Sequence, residues 1–224
     1  EGQIDPLDGQ QILIVTYLNA SADHFKLRLR ARLIAEGLQP IGFDARTLHS
    51  MALEILKLVY GDSGMLPTVI DETQSNNFLS RAIDGWRDAN PTLWAAFLPD
   101  NGPQMRARWR ILIDRSARAF IRTAKNARYR PEAILARLEA VENPADWAFT
   151  RLFAELYARY QEILTRQGAL DYDDQVWEAV DAVERNPDLA IHLRRRWPFI
   201  LEDEAQDSVP LQEELLNLLI GERG

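Results

Sequence analysis

Residues 198–208 read PFILEDEAQDS, so the adjacent carboxylates Asp203 and Glu204 directly follow an apolar run. At the carboxyl end of a parallel strand, an Asp is aimed into the crevice where α/β proteins bind their ligands. A neighbouring Glu can orient or deprotonate water beside the same ligand. A hard cation such as Mg²⁺ takes one or two carboxylates and completes its shell with phosphate and water oxygens, so Asp203 on the metal and Glu204 on metal and water would form half of a nucleotide-hydrolysing site. Gln206 and Asp207 follow in the same turn. The string also admits a structural reading, an acidic strand-to-helix turn whose carboxylates favour the helix N-terminus.

Other groups could bind nucleic acid. Tyr17, at the end of the run ILIVT, offers a sequence-tolerant stacking platform for bases. Thr16, Asn19, Thr47, His49 and Ser50 are small polar groups suited to phosphate oxygens. Each has an ordinary alternative: Tyr17 as a half-buried aromatic, Ser50 as a helix cap, His49 as a partner for a loop carbonyl. Between Met105 and Arg130 lie Arg106, Arg108, Arg110, Arg115, Arg118, Arg122, Lys125, Arg128 and Arg130, opposed only by Asp114 and interleaved with Trp109, Phe120 and Tyr129. That stretch is a local cationic island or a solvated helix face. Asp171, Asp173 and Asp174 could join Asp203, Glu204 and Asp207 in a metal-dependent nuclease. Against it, no lysine is expected near those carboxylates.

The elements that must position these residues are legible in part. Ile12–Thr16 has the continuous apolar, β-branched character of a strand buried on both faces of a parallel sheet. A helix is expected over 21–36, with Phe25, Leu29, Leu33 and Ile34 at helical spacing and Gly37 closing it. Residues 41–44 suggest a second strand, followed by a helix starting near Thr47 or Ser50 and broken at Gly61 and Gly64. From 67 to 168 the pattern is helical throughout, with breaks at Asn90-Pro91, 99–103, Arg130-Pro131 and Asn143-Pro144, and no strand is expected inside it. A third strand, 198–202, runs into the acidic pair and then a leucine-rich helix over 211–220. The expected architecture is a small α/β core split by a large all-helical insertion.

The 224 residues, 46% hydrophobic and 27% charged, are ordinary globular values, and the net charge is −8. An acidic average argues against nucleic acid unless binding is confined to a local basic surface. Zero cysteines exclude a disulfide framework or thiolate metal site and suit a cytoplasmic protein. No apolar run approaches a membrane span, and the opening EGQIDPLDGQ lacks the pattern of a signal peptide.

Residues 199–216, FILEDEAQDSVPLQEELL, closely resemble the acidic motif of superfamily 1 DNA helicases of the UvrD/Rep/PcrA type: a hydrophobic strand, DExQD, then a Gln and a Leu-Leu helix. In the same order, 15–22 (VTYLNASA) is similar to the family's TFTNKAA segment, 46–52 (RTLHSMA) to TFHSLA, and 170–174 (LDYDD) to DFDDLL. The resemblance implies a RecA-like, P-loop NTPase-type sheet, with 1–66 and 169–224 forming motor domain 1A and 67–168 an inserted helical subdomain 1B. It implies ATP and Mg²⁺ as cofactors, single-stranded and forked DNA as partners, and 3′ to 5′ travel. Asp203 would hold Mg²⁺, Glu204 would act on water, and Gln206 with Asp207 would link nucleotide to neighbouring motifs. Thr16, Tyr17, Asn19, Thr47, His49 and Ser50 would contact DNA, and Arg106, Arg108, Arg110, Arg118 and Arg122 would lie beside the duplex. The pattern departs at Ala20, where the family has Lys, and at Leu48, where it has Phe. No G-x-x-x-x-G-K-[ST] loop is present, since Lys26, Lys57 and Lys125 all lack a preceding glycine. The expectation is therefore a fragment of a helicase, inactive alone as an ATPase, with a non-catalytic DNA-gripping relative as the alternative.

Overall fold

The computed structural model describes residues 11–61, 66–97 and 102–221. The opening segment, Gly64 and most of the 99–103 break lie outside them. The chain is mixed α/β with a small parallel sheet and mostly helices. It divides into two compact units, one of Glu1–Leu66 with Gln175–Gly224 and one of Pro67–Asp174.

In the first unit, β1 (Ile12–Thr16), α1 (Asn19–Ala35), β2 (Phe43–Thr47) and α2 (Leu48–Tyr60) precede α9 (Pro187–Arg196), β5 (Phe199–Glu202) and α10 (Pro210–Ile220). The sheet order is β2-β1-β5 and all pairings are parallel, with Thr16 beside Thr47 and Val15 beside Glu202. β1 is central, and Leu13, Ile14 and Val15 are buried as its unbroken apolar run requires. β2 begins two residues later than the apolar pattern suggests. Gly42 takes φ +87, a conformation glycine adopts without strain, so the chain turns there and leaves Ile41 exposed. α1 starts at Asn19 instead of Ser21 and ends where expected. Gly37 at φ +73 allows Leu38 N–H to donate to the Leu33 carbonyl and Gly37 N–H to the Ile34 carbonyl, which satisfies carbonyls the helix would otherwise leave open. Phe25, Leu29 and Leu33 are half-buried, whereas Ile34 lies off that stripe and is exposed.

The second unit contains β3 (Thr68–Val69), α3 (Glu72–Ala89), α4 (Pro91–Ala96), α5 (Pro103–Asn126), α6 (Pro131–Glu139), α7 (Ala148–Arg166) and β4 (Ala169–Leu170). Leu152, Leu156, Tyr160 and Leu164 recur every fourth residue on α7 and are buried with Ile83 and Trp86 of α3 and Ile113, Ala117 and Ile121 of α5. The expectation of no strand within 67–168 is corrected at β3, which pairs in parallel with β4 through Thr68–Ala169 and Val69–Leu170. Two residues are too few to show a period of two, and their partner lies across the whole unit in sequence. The pair joins the two ends of the unit. From there α8 (Tyr172–Arg185) carries the chain back to the first unit. No helix among the described residues is long and apolar enough to cross a membrane.

Candidate functional site

β5 ends at Glu202, and the Asp203 N–H still donates to the Val15 carbonyl at 2.9 Å, which fixes Asp203 at the carboxyl edge of the sheet. The next residue, Glu204, has φ +58. A left-handed conformation for a non-glycine residue costs on the order of 1–3 kcal/mol and persists only where neighbouring bonds hold it. Asp207 N–H donates to the Glu204 carbonyl at 2.9 Å, closing a single turn over Ala205–Asp207 before α10 begins. Gln206 Nε2 donates to Glu204 Oε2. Asp203 is half-buried, and Glu204, Gln206 and Asp207 are exposed.

These groups suit a hard cation in one respect. Asp203, Glu204 and Asp207 form no ion pair with a lysine or arginine among the described residues, so their oxygens are not already neutralised. No cluster of three or more His, Cys, Asp or Glu side chains there could hold a metal unaided. A hard cation held by one or two carboxylates takes its other ligands from phosphate and water.

The ends of β1 and β2 meet the same edge. Thr16 is fully buried and its hydroxyl donates to the Leu18 carbonyl at 3.0 Å. Thr47 is buried and caps α2, its Oγ1 accepting from Ser50 N–H at 3.2 Å. Both hydroxyls thus make local bonds that shape their loops. Asn19 and Ser50 are exposed, and His49 is half-buried with its imidazole pKa lowered by burial. The His49 carbonyl accepts from Gln175 Nε2 at 3.0 Å, a contact with no local sequence signal.

Tyr17 is tied by its hydroxyl. Its oxygen lies 2.7 Å from Glu202 Oε1 and 2.7 Å from Ser208 Oγ, and Ser208 Oγ lies 2.9 Å from the same Glu202 oxygen. Burial and then the Glu202 carboxylate push the phenol pKa up to about 12, so it stays protonated throughout the neutral range. Glu202 and Ser208 were not singled out from the sequence. A charged residue closing the otherwise apolar run FILE was the available signal.

In the second unit the cationic stretch resolves into two classes. Arg110 donates to Ser80 Oγ at 2.8 Å and pairs with Asp84 and Asp114, and Arg118 pairs with Asp114 at 2.6 Å. Lys125 is completely buried. Arg106, Arg108, Arg115 and Arg122 are exposed, and the last three recur every seven residues along one face of α5. Trp109 and Phe120 do not share that outward face, because they pack toward Phe149 and Phe153.

The acidic group at the start of α8 is corrected more sharply. Lys125 Nζ lies 2.7 Å from Asp171 Oδ2 and 2.8 Å from Asp174 Oδ2, contrary to the expectation that no lysine stands near these carboxylates. Tyr160 donates to Asp171 at 2.8 Å, Gln161 donates to Asp174 at 3.2 Å, and Asp171 caps α8 by accepting from Asp174 N–H at 2.9 Å. The pair of carboxylates serves a buried ion cluster, which removes the ligands a nuclease reading requires. Asp173 stands beside it, its pKa raised to about 6 by burial and then by Asp171. A raised value contributes stability that is fully present below the ordinary value of 3.8 and lost as pH rises through about 6. Asp173→Asn should therefore flatten the pH dependence of unfolding between about 4 and 7 and stabilise the chain at pH 7, by at most about 3 kcal/mol. Urea titrations at several pH values measure this, and an unchanged slope would remove Asp173 as its source.

The chain matches the family described as the UvrD/REP helicase N-terminal domain over residues 2–224. It is 28% identical over 211 residues to the ATP-dependent DNA helicase UvrD1 of Mycobacterium leprae, covering 94% of this chain and 24% of that protein. It is 27% identical over 211 residues to the ATP-dependent DNA helicase PcrA of Leuconostoc citreum, covering 93% and 24% respectively. PcrA of Staphylococcus epidermidis is 27% identical over 210 residues, covering 93% of the chain and 25% of that protein. The chain thus spans about a quarter of the length of these relatives.

Proposed function

The chain belongs to the UvrD/REP helicase N-terminal domain family, and from that premise we propose that it forms most of the first motor domain of an ATP-dependent DNA translocase and helicase. Residues 1–66 and 169–224 make the RecA-like motor domain, and 67–168 the inserted helical subdomain. The observation that carries this reading is the convergence at one sheet edge of Asp203 and Glu204 with the strand ends at Tyr17 and at His49–Ser50. A nucleotide site and a single-strand contact on one rigid edge are what coupling hydrolysis to movement requires.

Asp203 and Glu204 would hold a Mg²⁺, which with ATP bound would supply positive charge against the charge developing on the phosphates. This chain's own groups hold and orient. The backbone bond to Val15 anchors Asp203 at the sheet edge, where its carboxylate would hold the cation, and Glu204, next to it on a left-handed backbone, would accept a proton from water. Gln206 holds the Glu204 carboxylate and, with Asp207, lines the nucleotide side of the turn. Tyr17 stacks on a base, while Asn19, His49 and Ser50 lie beside the phosphates. Travel runs 3′ to 5′. A second reading is a DNA-gripping module without hydrolysis. A GKT or GKS loop encoded upstream decides for the motor.

The 224-residue chain alone is expected to hydrolyse ATP at background rate, because its sequence contains no G-x-x-x-x-G-K-[ST] loop to cradle the phosphates. Turnover that Glu204→Gln abolishes would refute this. Weak single-strand binding should persist and be salt-sensitive, carried by Arg108, Arg115 and Arg122. Replacing all three with Ala should lower affinity at least about tenfold at low salt and reduce the log–log salt slope by about 2, from roughly 0.7 per lost phosphate contact. Arg118→Ala should change the slope less than Arg115→Ala, since Asp114 already neutralises Arg118. Fluorescence anisotropy over a salt series reads both, and an unchanged slope in the triple variant would withdraw the α5 face from DNA.

A further inference from the structure

Glu202 and Ser208 are the two ends of the short segment that contains Asp203, Glu204, Gln206 and Asp207. The Tyr17 hydroxyl touches both, at 2.7 Å each, from the end of the neighbouring strand 185 residues away. The contact is thus a clasp across the base of the acidic turn. Its oxygens form a closed triangle in which Glu202 only accepts and the two hydroxyls share their protons. A carboxylate in a half-buried position at the end of an apolar strand is unfavourable unless hydrogen bonds satisfy it, and a Leu there would keep the pattern of the strand. The ring of Tyr17 is oriented by this tether, so displacement of the ring pulls on the acidic turn.

We propose that Tyr17, Glu202 and Ser208 are positioning residues that couple the two contacts at this sheet edge: single-stranded DNA at Tyr17 and Mg-ATP at Asp203 and Glu204 each change the affinity for the other through the clasp. The proposal rests on the function proposed above. Stacking uses the face of the ring and the clasp uses its hydroxyl, so the two can be separated by substitution. Linkage then makes the coupling measurable from either side.

In the full-length protein, the affinity for a labelled oligothymidylate is measured by anisotropy with and without a non-hydrolysable ATP analogue and Mg²⁺. The ratio of the two affinities is expected to be about fivefold or more in the unaltered protein. In Tyr17→Phe and in Glu202→Leu it should fall below about twofold, and the double variant should resemble either single one. Glu202→Gln keeps an oxygen to accept the Tyr17 proton and should retain the ratio. A full ratio in Tyr17→Phe would overturn the proposal, as would lowered thermal stability in Tyr17→Phe and Glu202→Leu with the ratio intact, which would make the cluster a local clamp. Failure of the helicase reading looks different: the unaltered protein would then bind no nucleotide, whether or not it binds the oligonucleotide.

Discussion

Replacing Lys125 with Ala should destabilise the second unit by about 3–5 kcal/mol, the cost typical of leaving buried charges without their counter-ion. Lys125 is fully buried, and its ammonium is the only cation within ion-pair distance of Asp171 and Asp174 among the described residues. Burial lowers the Lys125 pKa, but the two carboxylates outweigh it and the net direction is upward. Burial likewise raises Asp171, and the ammonium outweighs it, holding the carboxyl below its ordinary value. Asp171 therefore contributes stability that is present above about 3.8, its ordinary value, and lost as pH falls through the lowered folded value. Asp174 has the opposite sign, because burial dominates and raises it. The Ala variant should lose cooperativity of urea unfolding seen through Trp86, which is buried in this unit. Lys125→Met combined with Asp171→Asn and Asp174→Asn removes the charges together and should recover much of the loss. A Lys125→Ala chain as stable as the unaltered one would show that the cluster is solvated and not a buried ion triad.

Glu204→Gln in the full-length protein should lower DNA-stimulated ATP turnover by about 10²–10⁴-fold, the range for loss of a positioned general base. The substitution keeps size and leaves the left-handed backbone and the turn over Ala205–Asp207 in place, so the thermal midpoint should hold. Asp203→Asn should act differently, raising the Mg²⁺ concentration needed for half-maximal rate at least about tenfold. Steady-state kinetics over a Mg²⁺ series separates the two. Turnover of Glu204→Gln within about threefold of the unaltered protein would sink the assignment of Glu204 to water.

What the sequence determined by itself was whatever a contiguous stretch encodes. The apolar run Ile12–Thr16 carried the pattern of a buried strand, Gly37 marked a helix end because it takes positive φ cheaply, and the string from Phe199 to Leu216 carried strand, acidic pair and helix in one register. These signals are local, so backbone sterics and periodicity express them before any tertiary contact exists. Even there the limits showed at β3, too short to have a period, and at β2, displaced by the turn at Gly42.

Tertiary structure alone decided which polar groups are available. A run of nine cationic residues reads as one surface, yet Lys125 is buried against Asp171 and Asp174, Arg110 pairs with Asp84 of α3, Arg118 pairs with Asp114 of α5 itself, and Arg106, Arg108, Arg115 and Arg122 stay outward. Thr16 and Thr47 read as phosphate donors in the sequence, and the structure adds that both are buried, with Thr16 Oγ1 donating to the Leu18 carbonyl and Thr47 Oγ1 accepting from Ser50 N–H. Some of the deciding partners are distant in sequence: 46 residues separate Lys125 from Asp171 and 185 separate Tyr17 from Glu202. The desolvation and ion pairing that set the charge and reach of a side chain depend on three-dimensional neighbours, which no window along the chain contains.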